Sequence, residues 1–140
     1  MQNEKPVTVA ITGASGSIYG IRLVETLLKS NKKVNLLITE AAFLVINEET
    51  GLNWRGDKNR VNELIREHFK AGEELIYYDN SNFYSPLASG SSGKGTMIIC
   101  PCSMGTLGRI AGGICSGVHH RSRSGVVGAV SLAGGAGVFQ

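Results

Sequence analysis

Three features of this sequence predict an α/β fold with a parallel sheet and helices on both faces. Short, β-branched apolar runs alternate with segments of helical period. The runs are apolar at nearly every position, as strands covered on both faces are. The first run, Val7–Ile11, stops abruptly in a loop of small residues, and an amphipathic helix pattern follows at once.

The elements follow in order. Val7–Ile11 is strand-like. Helical spacing of Ile21, Val24, Leu27 and Leu28 predicts a helix over Ser17–Ser30. Val34–Ile38 is a second buried strand, apolar except at Asn35. Thr39 ends it and suits the cap of a helix over Ala41–Glu49. Thr50–Asp57 is a loop. Val61, Leu64, Ile65 and Phe69 share one face of a helix over Asn59–Ala71, with charges opposite. Glu74–Tyr78 is a short strand. A long loop, Asp79–Gly95, rich in Ser, Gly and Asn, is of the length that compact domains keep for function or mobility. Thr96–Cys100 is a buried strand stopped by Pro101, and Cys102–Thr106 is a second strand-to-helix loop of small polar residues.

Bulk composition narrows the function. The 140 residues, 42% hydrophobic and 18% charged, suffice for one domain with a core. A net charge of +3, with scattered basic residues, gives no reason to expect a nucleic-acid partner. No apolar run approaches the roughly 20 residues that span a bilayer. The polar start Met1–Pro6 lacks a signal-peptide core, so a cytoplasmic protein with no membrane association is expected. Cys100, Cys102 and Cys115 are then reduced thiols, and their spacing does not match a zinc site, so no metal is expected.

The chemistry is concentrated in two loops of one design. In Thr12–Gly20, glycines let the backbone approach a ligand, the helix start offers N–H groups to an anion, and Ser15 and Ser17 add hydroxyls. The glycine spacing is neither the dinucleotide fingerprint nor a Walker loop. A nucleotide or flavin phosphate site and a plain tight turn are both compatible with it. The second loop, Pro101–Thr106, follows a later strand, and ordinary helix capping by Ser103 is its simplest alternative reading. Both loops fall at the carboxyl ends of parallel strands, where open α/β sheets bind ligands at the switch point of strand order.

Four segments, Thr12-Gly-Ala-Ser-Gly-Ser-Ile-Tyr-Gly20, Glu48-Glu-Thr50, Pro86-Leu-Ala-Ser-Gly-Ser-Ser92 and Cys100-Pro-Cys-Ser-Met-Gly-Thr-Leu107, resemble the flavin prenyltransferases of the UbiX type. The likeness runs from about Val7 to Ile114. It implies a Rossmann-like (flavodoxin-like) three-layer αβα fold, with residues 1–114 an FMN-binding α/β domain and 115–140 an atypical Gly-rich segment of the same domain. It implies assembly as a homo-oligomer, a dodecamer in the family. The implied activity joins a dimethylallyl group, from dimethylallyl phosphate, to N5 and C6 of FMN, making a prenylated flavin for a partner decarboxylase. Carried onto this chain, Gly13, Ala14 and Ser15 match the first FMN loop, and Thr39 stands where the family usually has Ser. Ser103, Met104, Gly105 and Thr106 match the second FMN loop, and Arg121 matches a flavin- and phosphate-binding Arg. Ala88, Ser89 and Gly90 match the wall of the prenyl-phosphate pocket. Ser15 and Glu49 match residues implicated in proton handling, and they are the implied catalytic pair.

The chemistry of such a transfer suits these residues. Charge on a departing phosphate is stabilised by fixed N–H donors, hydroxyls and a guanidinium. A flavin carbon must shed a proton when the new ring closes, which a carboxylate such as Glu49 relays. Read without the resemblance, Glu49 is equally a solvated helix-end residue beside Glu48. Phe83 and Tyr84 suit either a flavin or prenyl contact or loop packing.

After Ile114 the sequence departs from the family pattern. Gly128 falls near a family Lys, and Val138 and Phe139 near a family Arg-Glu pair. Later Tyr and Arg positions of the family have no counterpart. Glycines recur from Gly117 to Gly137 and neither period is kept. His119, His120, Arg121 and Arg123 could form an anion site, but the composition favours a solvated, poorly ordered tail. The change suggests a disrupted C-terminus, from a shifted reading frame near residues 115–125 or from truncation. Two other functions follow: a noncatalytic FMN-binding flavoprotein, and a flavin-dependent cysteine decarboxylase, whose Pro-Ala-Ser-Ala-Asn-Thr loop contrasts with Pro101-Cys-Ser-Met-Gly-Thr106.

Overall fold

The computed structural model describes residues 4–79, 96–112, 126–129 and 137–138, with side chains for 4–79 and 96–108. The element order is β1 (Val7–Ile11), α1 (Ser17–Lys29), β2 (Val34–Ile38), α2 (Glu40–Thr50), α3 (Lys58–Phe69), β3 (Leu75–Asp79), β4 (Thr96–Ile99), α4 (Met104–Gly112), β5 (Val126–Ala129) and β6 (Gly137–Val138). Most predicted boundaries shift by one or two residues. The clearest difference is at the second loop. There the helix starts at Met104, so Met104, Gly105 and Thr106 form its first turn rather than a free loop.

The sheet order is β3-β2-β1-β4-β5-β6. β1 pairs in parallel with both β2 and β4, so the chain reverses its direction of winding between β1 and β4. β5 continues the parallel sheet, pairing Thr96 with Val126 through Ile99 with Ala129. β6 adds an antiparallel edge. The expectation of a poorly ordered tail is corrected at Val126–Ala129 and Gly137–Val138, which form strands. The free edge of β4 presents unpaired N–H and C=O groups, and the β-branched pair Val126–Val127 supplies a strand for them.

Alternation along β1 divides the core between two faces. Val9 and Ile11 pack with Ile21 and Val24 of α1, Ala42 and Ile46 of α2, and Val61 and Ile65 of α3. Ala10 faces the other way, with Leu37, Met97, Ile99 and Leu107 of α4. The result is the flavodoxin-like three-layer αβα arrangement. Fully buried Ile11, Leu36 and Ile65 each contribute about 2 kcal/mol of burial relative to exposure.

Caps explain where the helices begin. Thr39 accepts from the N–H of Ala42 at 3.2 Å, and Asp57 from that of Arg60 at 2.8 Å. α1 has no side-chain cap at its own N-cap position, Gly16, which sits at φ +95°. Gly20, one turn on, has no room for a side chain: a Cβ there would meet the carbonyl oxygen of Cys100 and Ile11 Cγ1. That close approach seats the start of α1 against the ends of β1 and β4.

Candidate functional site

The loops after β1 and β4 are joined by one buried hydroxyl. The last rungs between these strands are Cys100 N–H to Ala10 O, 2.9 Å, and Thr12 N–H to Pro101 O, 3.2 Å. Beyond them Thr12, only 1% exposed, donates its hydroxyl to Pro101 O at 2.6 Å and accepts from the N–H of Ser103 at 2.8 Å. The turn then tightens, with Ala14 N–H on Thr12 O at 2.9 Å. A third turn adjoins: the N–H of Thr39 donates to Ile11 O at 3.1 Å. Sequence reasoning placed both loops at the switch point, and the structure brings them together there. It did not single out Thr12. The available signal was a hydroxyl residue at a buried strand end, where an apolar one would continue the strand.

The start of α1 holds a carboxylate of this chain. Glu49, at the end of α2, accepts from the N–H of Gly16 at 3.2 and 3.1 Å, from the N–H of Ser17 at 3.0 Å, and from the Ser17 hydroxyl at 2.7 Å. The Gly16 N–H and then the Ser17 hydroxyl hold the Glu49 carboxyl below its ordinary value; burial opposes them, and the Ser17 N–H adds a last, smaller lowering. The expectation that this helix start offers its N–H groups to a ligand is therefore corrected. Gly16 and Ser17 are engaged by an internal anion, which the positive end of the helix favours. Ser15, beside them, is exposed.

Gly13 also has a reason other than ligand approach. A Cβ there would lie 2.6 Å from the Cβ of Ala41 and 3.3 Å from its carbonyl carbon. The first loop and the first turn of α2 share that space.

The start of α4 is differently arranged. Ser103 Oγ accepts from Thr106 N–H at 3.1 Å and lies 2.8 Å from Thr106 Oγ1, so Ser103 does cap the helix. Met104 is 73% exposed, and the space where a Gly105 Cβ would project is open. First-turn N–H groups have no partner within a helix. Met104 and Gly105 thus present two such donors at an open surface, next to a Ser–Thr hydroxyl pair. These donors, with Ser15 and the Thr39 hydroxyl, suit a phosphate ester. Arg121, Ala88, Ser89 and Gly90, with Phe83 and Tyr84, lie outside the described residues.

Burial raises both nearby thiols, Cys102 to about 11. They are packing groups, not nucleophiles. A cavity of about 530 Å³ at the ends of β2 and β3 is lined by Phe43, Trp54, Arg55, Lys58 and Tyr77, among others. It contains none of the candidate site residues singled out from the sequence.

Two small-residue loops joined at the crossover of a parallel sheet define an open α/β protein of the doubly wound class, with its loops at the switch point. The chain belongs to the Flavoprotein family, whose model it matches over residues 1–127. It is 41% identical over 119 residues to the flavin prenyltransferase UbiX of Alkalihalophilus pseudofirmus, covering 85% of this chain and 58% of that protein. It is 44% identical over 116 residues to the UbiX of Halalkalibacterium halodurans, covering 82% and 54%. Among solved structures it is similar to AnUbiX (PadA1) in complex with FMN and dimethylallyl pyrophosphate, with TM-score 0.73 and 26% identity over 92% of this chain and 65% of that one. The chain spans a little over half the length of these curated relatives. Among the described residues no helix is long and apolar enough to cross a membrane.

Proposed function

We propose that this chain is the flavin-binding part of a flavin prenyltransferase, which moves a dimethylallyl group from dimethylallyl phosphate to FMN. The observation that carries this reading is the joining of the Thr12–Ser17 and Pro101–Thr106 loops through Thr12 at the β1/β4 crossover. Family membership and the relatives' names support it. The Met104 and Gly105 N–H groups, the Ser103–Thr106 hydroxyls, Thr39, and the Gly13–Ser15 turn hold the FMN phosphate and orient the ring. Ala88, Ser89, Gly90 and Arg121 complete the prenyl-phosphate side. In the transfer the allylic C–O bond breaks and phosphate leaves with its electron pair. The freed prenyl carbon bonds to N5 of the reduced flavin, which loses its proton. A proton adds to the prenyl C=C, the tertiary carbon so formed bonds to C6, and C6 loses its proton. One proton is released overall, which the phosphate takes up. Ser15 and Glu49 handle these proton transfers.

The reading extends to a cytoplasmic homo-oligomer that passes its product to a prenyl-FMN-dependent decarboxylase, with residues 115–140 an atypical part of the same domain. A second reading, a noncatalytic FMN-binding flavoprotein, is favoured by Gly128, Val138 and Phe139, which stand where the resemblance implies charged groups.

One experiment separates the two. FMN is titrated into the purified chain, and the mass of the flavin is measured after adding reduced FMN and dimethylallyl phosphate. Binding with a prenylated flavin supports the transferase. Binding without it supports the noncatalytic flavoprotein, and no binding overturns both.

A further inference from the structure

We propose that Thr12 is a positioning residue, which sets the separation of the two loops and thereby the affinity for the flavin phosphate. The inference rests on the reading that FMN lodges between these loops. The backbone ladder between β1 and β4 ends at the Thr12 N–H bond to Pro101 O. Past that point neighbouring strands diverge by their twist, and the link described between the loops is a side chain. The Thr12 hydroxyl uses its one hydrogen on Pro101 O and an acceptor lone pair on Ser103 N–H, from a site only 1% exposed. Water has little access to replace either bond.

Two consequences follow for the ligand. The Ser103 N–H is committed to Thr12, so it is not a phosphate donor. The donors that remain, Met104 and Gly105 N–H with the Ser103–Thr106 hydroxyl pair, ride on Ser103, and their distance from Ser15 is the distance that Thr12 imposes. Thr12 does not touch the ligand; it acts through Ser103.

The test compares the parent chain with Thr12→Val, which keeps the shape and removes both bonds, and Thr12→Ser, which keeps the hydroxyl. FMN affinity is read by quenching of flavin fluorescence. We expect Thr12→Val to weaken binding about tenfold or more and Thr12→Ser to stay within about threefold. A merely space-filling role predicts the reverse order, since Val preserves volume better than Ser. A folded Thr12→Val chain that binds FMN as the parent does overturns the proposal. If Thr12→Val does not fold, amide hydrogen exchange of Ser103 in the FMN-free parent decides. Strong protection supports the tie, and exchange at the rate of an open loop overturns it. If the parent binds no FMN, the reading of the site falls, and Ser103 protection still decides whether Thr12 joins the loops.

Discussion

Glu49 Oε1 lies 2.7 Å from the Ser17 hydroxyl and 3.0 Å from the Ser17 N–H, so the end of α2 caps the start of α1 across 32 residues. A helix whose N-cap is Gly16, with no side chain to cap it, acquires a cap from a neighbouring helix. The contact adjoins the Gly13–Ser15 turn of the proposed site, and a carboxylate there affects stability.

The pH dependence of that cap has a definite sign. Its donors lower the Glu49 pKa in the folded chain, so its stabilisation is fully present above the ordinary value of 4.5. It is lost as pH falls through the lower folded value. Solvent screens this exposed group, so Glu49→Gln is expected to cost about 1 kcal/mol at neutral pH. Urea melts of parent and variant from about pH 7 to about pH 3 should show the gap closing on the acid side. A gap independent of pH would mean that the charge of Glu49 is not what caps α1.

Gly13→Ala is expected to destabilise by about 2 kcal/mol, because its Cβ and that of Ala41 would occupy the same space. Adding Ala41→Gly should recover much of the loss, since the nearest clashing atom is then gone. Thermal melts of the two single variants and the double variant form a cycle. Strict additivity would show that the two positions do not collide.

Ser15 is exposed and adjoins the capped start of α1. In the proposed reaction, Ser15→Ala should lower the rate of flavin prenylation by about tenfold or more while changing FMN affinity much less. Single-turnover rates and FMN titrations on the same preparation give both numbers. Equal losses would assign Ser15 to binding rather than to the chemistry.

Cys100 and Cys102 are buried, and burial raises both thiols. In a Cys115→Ser background, both should resist a thiol reagent at neutral pH while the chain is folded, and react together on unfolding in guanidinium. Rapid labelling of the native chain would contradict the packing role described for them.

Much of this architecture was legible from residue pattern alone. Val7–Ile11 and Val34–Ile38 are strands at the predicted residues, because runs of buried β-branched side chains leave the chain little else to do. Thr39 caps α2 as its hydroxyl suggested. The two small-residue loops were recognisable because each is a break between two periodic patterns. The tail was not legible. Val126–Ala129 becomes a strand because β4 offers an edge, and a glycine-rich segment carries little sign of such a partner.

The sequence by itself determined the alternation of strands and helices, the two loops that punctuate it, and the family to which they point. These are local properties, set by period, capping chemistry and turn residues within a dozen positions. Only the tertiary structure decided that the Thr12 hydroxyl answers Ser103, that Glu49 fills the start of α1, and that Gly13 yields its space to Ala41. Each of these joins residues 28 to 91 positions apart. A hydrogen bond or a steric exclusion at that range depends on which strand lies beside which, and no local pattern of residues encodes that.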